Sequence, residues 1–289
     1  KMPVFDSICT AVGTAGTGGF GVKNDSIGSY SPYLQWVVAI FMILFGVNFN
    51  AYYYIIYRHF KKAFKIEEVR CYFAIILIAT AIIFANILDR CVSIFDALTK
   101  SVFQVASLIT STGFSSTDFN LWPQICRTVL VLIMFIGACA GSTGGGIKVS
   151  RVIVLFKTMI KELHSYIHPK SIRKVNLDGK PVEHEIVRSI NVYIVTFVII
   201  FASSVFMVAF DGKDLVTNFT AVLTTINNMG PGLAEVGPTG NFSNFSVFSK
   251  FVFMFDMLAG RLELFPLLIL FHPSAWKDLI SKRAEARKF

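Results

Sequence analysis

Leu108-Ile109-Thr110-Ser111-Thr112-Gly113-Phe114-Ser115 is the phrase whose reading decides the fold. An apolar stretch too short to cross a bilayer precedes it, and one long enough to do so follows. A looser copy ends in Thr17-Gly18-Gly19-Phe20 and a third in Asn227-Asn228-Met229-Gly230-Pro231-Gly232, again between hydrophobic segments. Irregular polar backbone in an apolar setting is tolerated only where it is buried in protein or lines a water-filled cavity. A Gly-bearing loop that recurs there predicts a pore lining within a membrane.

The composition agrees. Of 289 residues, 54% are hydrophobic and 16% charged, against about 25% charged in ordinary soluble domains. The net charge of +9 could suggest nucleic acid, but the cations are not spread over one face. They fall in one loop from Arg58 to Arg70, a second from Lys157 to Arg188, and the tail from Lys277 to Lys288. Such loops lie on the cytoplasmic side, so the three Gly phrases face outward. The five cysteines, Cys9, Cys71, Cys91, Cys126 and Cys139, have no C-x-x-C spacing and mostly apolar neighbours. They read as buried small hydrophobes. Because the chain opens with Lys1 inside what already looks like a pore helix, an N-terminal part is expected to be missing.

Taken in order, Pro3 to about Gly16 is a re-entrant segment of three or four turns, with Pro3 suited to a first helical turn. Tyr33 to Tyr57 predicts a spanning helix bracketed by tyrosines. Cys71 to Leu88 returns outward, and Ser93 with Asp96 makes a capping-box-like start for a short helix up to Ile109. The half-span Cys126 to Ala138 then runs into Gly137-Ala138-Cys139-Ala140-Gly141-Ser142-Thr143-Gly144-Gly145-Gly146. Glycines at that density cannot hold a regular helix, since each costs about 1 kcal/mol relative to Ala. This is a broken helix. Asp178-Gly179 signals a turn in the largest polar loop, Ile186 to Phe210 is another span, Asp214 can cap a short helix Leu215 to Ile226, and Phe245 to Phe271 is the last span.

The unit of span, short re-entrant helix, Gly loop and span therefore repeats, with Gly19, Gly113 and Gly230 separated by 94 and 117 residues. Backbone carbonyls can replace a cation's hydration shell if the loop turns them toward one axis, and glycine permits such dihedrals. Each short helix would also aim its partially negative C-terminal end at the ion. The alternative for any one loop is a plain extracellular turn. The Gly-rich break can change shape at low cost, as a gate below a filter must, although a static packing kink would look the same.

Arg261 lies in the middle of Phe245 to Phe271, where a charge is expensive and faces an aqueous path or a partner. On a continuous helix neither Asp256 nor Glu263 shares its face. It must pair with another segment or look into the pore, the alternative being a salt bridge with either acid from another helix face. Asp256 and Glu263, at i and i+7, are expected to pack or pair structurally. Gly16-Thr17-Gly18-Gly19-Phe20-Gly21 matches G-x-G-x-x-G literally, but no strand precedes it. Gly141 to Lys148 departs from a phosphate loop at Ile147 and Val149. With no catalytic triad or paired-carboxylate site, the chain does not read as an enzyme.

Ser111-Thr112-Gly113-Phe114, Gly141-Ser142-Thr143-Gly144-Gly145-Gly146-Ile147-Lys148 and Asn228-Met229-Gly230-Pro231-Gly232-Leu233 together resemble the Trk/Ktr/HKT superfamily of potassium transporters, nearest to the TrkH branch. The resemblance covers essentially the whole chain. It implies an all-α, multi-pass cell-membrane protein of four M1-P-M2 repeats arranged pseudo-fourfold around a pore. Of these the chain would hold the second (1–65), third (66–170) and fourth (171–289). The implied filter carbonyls are those of Thr17, Gly18, Gly19, Ser111, Thr112, Gly113, Asn228, Met229 and Gly230. Gly141, Gly144, Gly145 and Gly146 would gate, and Arg261 would project into the pore as a barrier. The resemblance further implies potassium as cargo with no bound cofactor, a homodimer, and a cytoplasmic nucleotide-binding regulatory subunit of the TrkA kind. Glycine at the key filter position goes with potassium, and serine in one loop can go with sodium permeation. A sodium-permeable or sodium-coupled member is therefore the alternative.

Overall fold

The computed structural model describes residues 2–169, 173–262, 264–270 and 273. Three short helices end at the Gly phrases: α1 (Val4–Ala15), α6 (Ile94–Ile109) and α10 (Leu215–Ile226), the last two numbered by their place in the chain. Their starts follow from sequence. Pro3 stands at the N-cap of α1, Ser93 Oγ accepts from Asp96 N–H, and Asp214 Oδ2 accepts from Thr217 N–H at 3.1 Å. Both α6 and α10 are buried on nearly all sides, Thr99 to Ile109 and Thr217 to Ile226 alike, so the protein is built around them.

Between and around them run α2 (Pro32–Phe45), α3 (Phe49–Ile56), α4 (Phe60–Ala63), α5 (Glu67–Ile87), α7 (Gln124–Ile136), α8 (Val149–Ile167), α9 (His184–Val208), α11 (Val247–Arg261) and α12 (Leu264–Leu270). Among the described residues, two helices are long and apolar enough to cross a membrane unbroken, Glu67–Arg90 and His184–Asp211, each counted with its closing 3-10 turn. Both precede a short helix. Every span that follows a Gly phrase is broken.

Two of those breaks correct the sequence expectation. Tyr33 to Tyr57 is not one continuous helix: α2 and α3 meet at 93° across Gly46-Val47-Asn48. An apolar run reads alike whether straight or kinked, and the kink persists because its freed peptide groups find partners. Gly46 O accepts from Cys139 N–H at 3.1 Å, Phe49 N–H donates to Gly141 O at 3.2 Å, and Asn48 Oδ1 accepts from Asn50 N–H. The last span likewise ends its first helix at Arg261, so Arg261 is a helix C-terminus rather than a mid-helix charge. Glu263, Phe271 and the basic tail from Lys277 lie outside the described residues. The third break, Gly137 to Lys148, falls where expected.

The connecting loops segregate to two ends. At one, Lys157 pairs with Glu67 at 2.6 Å and Asp178 Oδ1 accepts from Glu67 N–H at 2.6 Å. This joins the two basic loops. There the chain departs from all-α: β1 (Asn176–Leu177) and β2 (Lys180–Pro181) form a two-residue hairpin about the predicted Asp178-Gly179 turn. At the other end Arg90 donates to Leu121 O, Asn120 accepts from Ala234 N–H, and Lys213 pairs with Glu235. Of the cysteines only Cys126 and Cys139 are buried; Cys9, Cys71 and Cys91 are partly exposed.

The cap at Asp214 gives a stability prediction. Hydrogen bonding from Thr217 holds its carboxyl below the usual carboxylate range, against a smaller upward pull from burial. A depressed pKa means stability present above the ordinary value and lost as pH falls through the folded one. Asp214→Ala should cost about 1 kcal/mol at pH 7 and Asp214→Asn much less. Thermal unfolding should show the wild-type advantage over Asn shrinking below about pH 4.

Candidate functional site: three stepped loops above a Gly-rich break

The three Gly phrases are one backbone structure. Each helix is closed by the same pair of bonds: Thr17, Ser111 and Asn228 donate to the carbonyl three residues back (3.1–3.2 Å), and Gly18, Thr112 and Met229 to the one five back (2.8–3.0 Å). This is a Schellman closure, which needs a left-handed residue and takes glycine in most helices. Here non-glycine residues occupy it, with φ of 50° at Thr17, 56° at Ser111 and 56° at Asn228. Two residues later φ turns positive again, at 67° for Gly19, 87° for Gly113 and 93° for Gly230, while the residue between does not. Alternation of this kind turns successive carbonyls to one side. A left-handed conformation costs an L side chain about 1–2 kcal/mol, so three such positions require surroundings that hold them.

The loops also pack on one another in a fixed step. A Cβ built on Gly19 would lie 1.7 Å from Thr112 O, and one on Gly113 would lie 1.8 Å from Met229 O. In each case the key glycine of one loop lies against the middle carbonyl of the next. A Cβ on Gly230 would meet nothing within 4 Å. There a cleft of about 830 Å³ opens, lined by Gly18, Gly113, Met229, Met254, Met257 and Arg261 among others.

Beneath the loops lies the Gly-rich break. Its ends close on each other, with Val149 N–H donating to Ala138 O and Gly137 packed on Gly146. Its middle runs under the helix ends: a Cβ at Gly144 would be 2.9 Å from Thr110 O, and one at Gly145 would be 2.4 Å from Asn227 O. Thr17 Oγ1 donates to Thr143 O at 2.8 Å and Arg261 to the same oxygen at 3.2 Å, while Lys148 Nζ donates to Gly144 O. Thr143 is thus tied at once to the first loop and to the last span. Two buried acceptors facing this segment, Ser111 Oγ and Asn227 Oδ1, have no hydrogen-bond partner among the described residues.

All nine loop residues expected from sequence come together here, as do Gly144, Gly145, Gly146 and Arg261. Gly141 stands apart, against Asn48 and Phe49 at the α2–α3 kink. Among the described residues Arg261 pairs with a backbone carbonyl, that of Thr143, and not with an acid; Asp256 is buried on the same helix and accepts from Ser204 Oγ at 2.7 Å. Sequence reading missed Glu68. Its carboxylate is buried, and one oxygen accepts from Ala140 N–H and Ser150 N–H while the other accepts from Asn48 Nδ2.

The profile of the TrkH cation transport protein family matches residues 1–278. The Trk system potassium uptake protein TrkH of Salmonella typhimurium is 33% identical over 284 residues, 96% of this chain and 58% of that protein. The corresponding TrkG of Escherichia coli is 31% identical over 281 residues, 96% of this chain and 57% of that one. A crystal structure of the potassium transporter TrkH from Vibrio parahaemolyticus superposes with a TM-score of 0.87 at 31% identity, covering 95% of this chain and 60% of that one. The chain therefore spans about three-fifths of the length of these relatives. A profile match over nearly all of the chain carries the membership, and the shared three-dimensional arrangement agrees with it: this chain belongs to the TrkH family of cation transport proteins, which are membrane transporters and not enzymes.

Proposed function

We propose that the chain supplies three quadrants of a pseudo-fourfold potassium pore, through which potassium is taken up across the cell membrane. The observation that carries this is the fixed step between loops, with Gly19 against Thr112 O and Gly113 against Met229 O, each behind the same pair of positive-φ residues. A ring built on one step has a place for a further loop beside Gly230. The carbonyls of Thr17, Gly18, Gly19, Ser111, Thr112, Gly113, Asn228, Met229 and Gly230 replace the hydration shell of a bare potassium ion. Each loop belongs to one repeat: 1–65, 66–170 and 171–289. Below them Gly144, Gly145 and Gly146 obstruct the path, with Gly141 holding the loop to the α2–α3 kink, and Arg261 adds a positive charge that repels cations. The basic end, where Glu67, Lys157 and Asp178 meet, faces the cytoplasm and receives the regulatory subunit. The named relatives are potassium uptake proteins, which agrees with the ion assigned.

Rubidium-tracer flux into liposomes holding the full-length protein tests the reading. Potassium should compete and sodium should not, and Arg261→Ala should raise flux by about tenfold, equivalent to lowering a barrier by about 1.4 kcal/mol. Equal competition by sodium would replace potassium with the sodium-permeable alternative. Unchanged flux in the variant would leave Arg261 a structural tie to Thr143.

A further inference from the structure

We infer that Glu68 is the latch that holds the Gly-rich segment under the loops. The inference rests on the proposed gate and names the residue that positions it. Glu68 lies in the first turn of α5, is 4% exposed, and takes three donors on two oxygens. Oε1 accepts from Ala140 N–H at 2.6 Å and Ser150 N–H at 3.1 Å; Oε2 accepts from Asn48 Nδ2 at 2.9 Å.

The donors come from the parts that would have to move. Ala140 enters the Gly-rich segment, and Ser150 leaves it in the first turn of α8. Asn48 is the pivot of the α2–α3 kink. The N-cap of α8, Lys148, makes no capping bond with its side chain, so Glu68 supplies from another helix an anion for that helix's orphan N–H groups. One carboxylate thereby closes both mouths of the segment and locks it to the kink. Charge-assisted bonds are roughly twice as strong as neutral ones, and an ionised carboxylate is the side chain that offers only acceptors to three donors.

This chemistry predicts how substitution acts. In Glu68→Gln the amide oxygen can keep Ala140 and Ser150, but its NH₂ then faces the NH₂ of Asn48. Asn48 cannot turn its oxygen over without abandoning Asn50 N–H, which Oδ1 holds at 2.9 Å. Asn48→Asp in the same chain restores an acceptor there while still capping α3. The pair should therefore rescue what the single change breaks.

Cys139, buried beside Ala140, reports the position of the segment. In the full-length protein in liposomes, alkylation by N-ethylmaleimide is followed at Cys139 peptide by peptide, with buried Cys126 of α7 as the fold control. Glu68→Gln should label Cys139 about tenfold faster than wild type and Glu68→Ala faster still, with Cys126 unchanged. Glu68→Gln with Asn48→Asp should return Cys139 to the slow rate. Wild-type labelling in both single variants overturns the latch. So does parallel acceleration of Cys126, which marks a general loosening, and so does a pair that labels no more slowly than Glu68→Gln alone. Rubidium flux separates the latch from the gate. Faster Cys139 labelling with faster flux supports both, whereas faster labelling with unchanged flux supports the latch and overturns the gate.

Discussion

Gly113→Ala should abolish potassium uptake and leave the protein folded enough to reach the membrane. The added Cβ would sit 1.8 Å from Met229 O, where a carbon and an oxygen need at least about 3.3 Å. Neither atom is at the end of a flexible side chain. The two loops must therefore part by roughly 1.5 Å, and Ala must also hold φ near 87° at a cost of about 1–3 kcal/mol. In the proposed filter, a carbonyl moved that far would no longer replace a water of the ion's shell. Loss of about 3 kcal/mol of that replacement lowers rubidium flux on the order of 100-fold. Wild-type flux in Gly113→Ala would remove the Ser111–Gly113 loop from the conduction path.

Gly230→Ala asks a sharper question of the same step. Within this chain its Cβ meets nothing within 4 Å, so only the dihedral at 93° opposes it. If another loop continues the ring by the step seen twice, the full-length protein should lose flux as severely as it does with Gly113→Ala. If the ring is not continued there, Gly230→Ala should be the mildest of the three glycine substitutions.

What sequence revealed and what it hid divide along a physical line. Local chemistry was legible: Ser93 and Asp214 announce helix starts by the bonds they make, and the glycines at 19, 113 and 230 mark where φ must turn positive. The residues that close the three helices were harder to see, because Thr17, Ser111 and Asn228 do the left-handed work that glycine usually does. Only the packed loops hold them there. The kink at Gly46 was hidden for a related reason, since its partners Cys139 and Gly141 are some 90 residues away in sequence and an apolar window contains no trace of them. Glu68 reads as one of two acids in an ordinary first turn beside a basic loop. Its burial and its three donors exist only once α5, the α2–α3 kink and the Gly-rich segment meet.

The counterpart of Gly113→Ala lies one layer below, where adding the same atom should have the opposite effect. Gly145 has no positive φ, so Ala costs its backbone little. Its Cβ would nevertheless stand 2.4 Å from Asn227 O and 3.4 Å from Ser111 Cβ, both in the last turn and loop of the loop layer. Relief requires a shift of about 1 Å. The loop layer is the stiffer partner, because α10 is buried from Thr217 to Ile226 on all sides but that of Phe219, whereas the Gly-rich segment is held by a few hydrogen bonds at Thr143, Ala140 and Ser150. The segment therefore yields. A bias of about 2–3 kcal/mol against the proposed obstructing position raises the population of the open form by roughly 30- to 160-fold where that form is rare. Rubidium flux through Gly145→Ala should rise accordingly, with competition by potassium and indifference to sodium as in wild type, since the carbonyl layer above is not displaced. A fall in flux would mean that the loop layer gave way instead. Unchanged flux would mean that the segment does not stand in the ion's path.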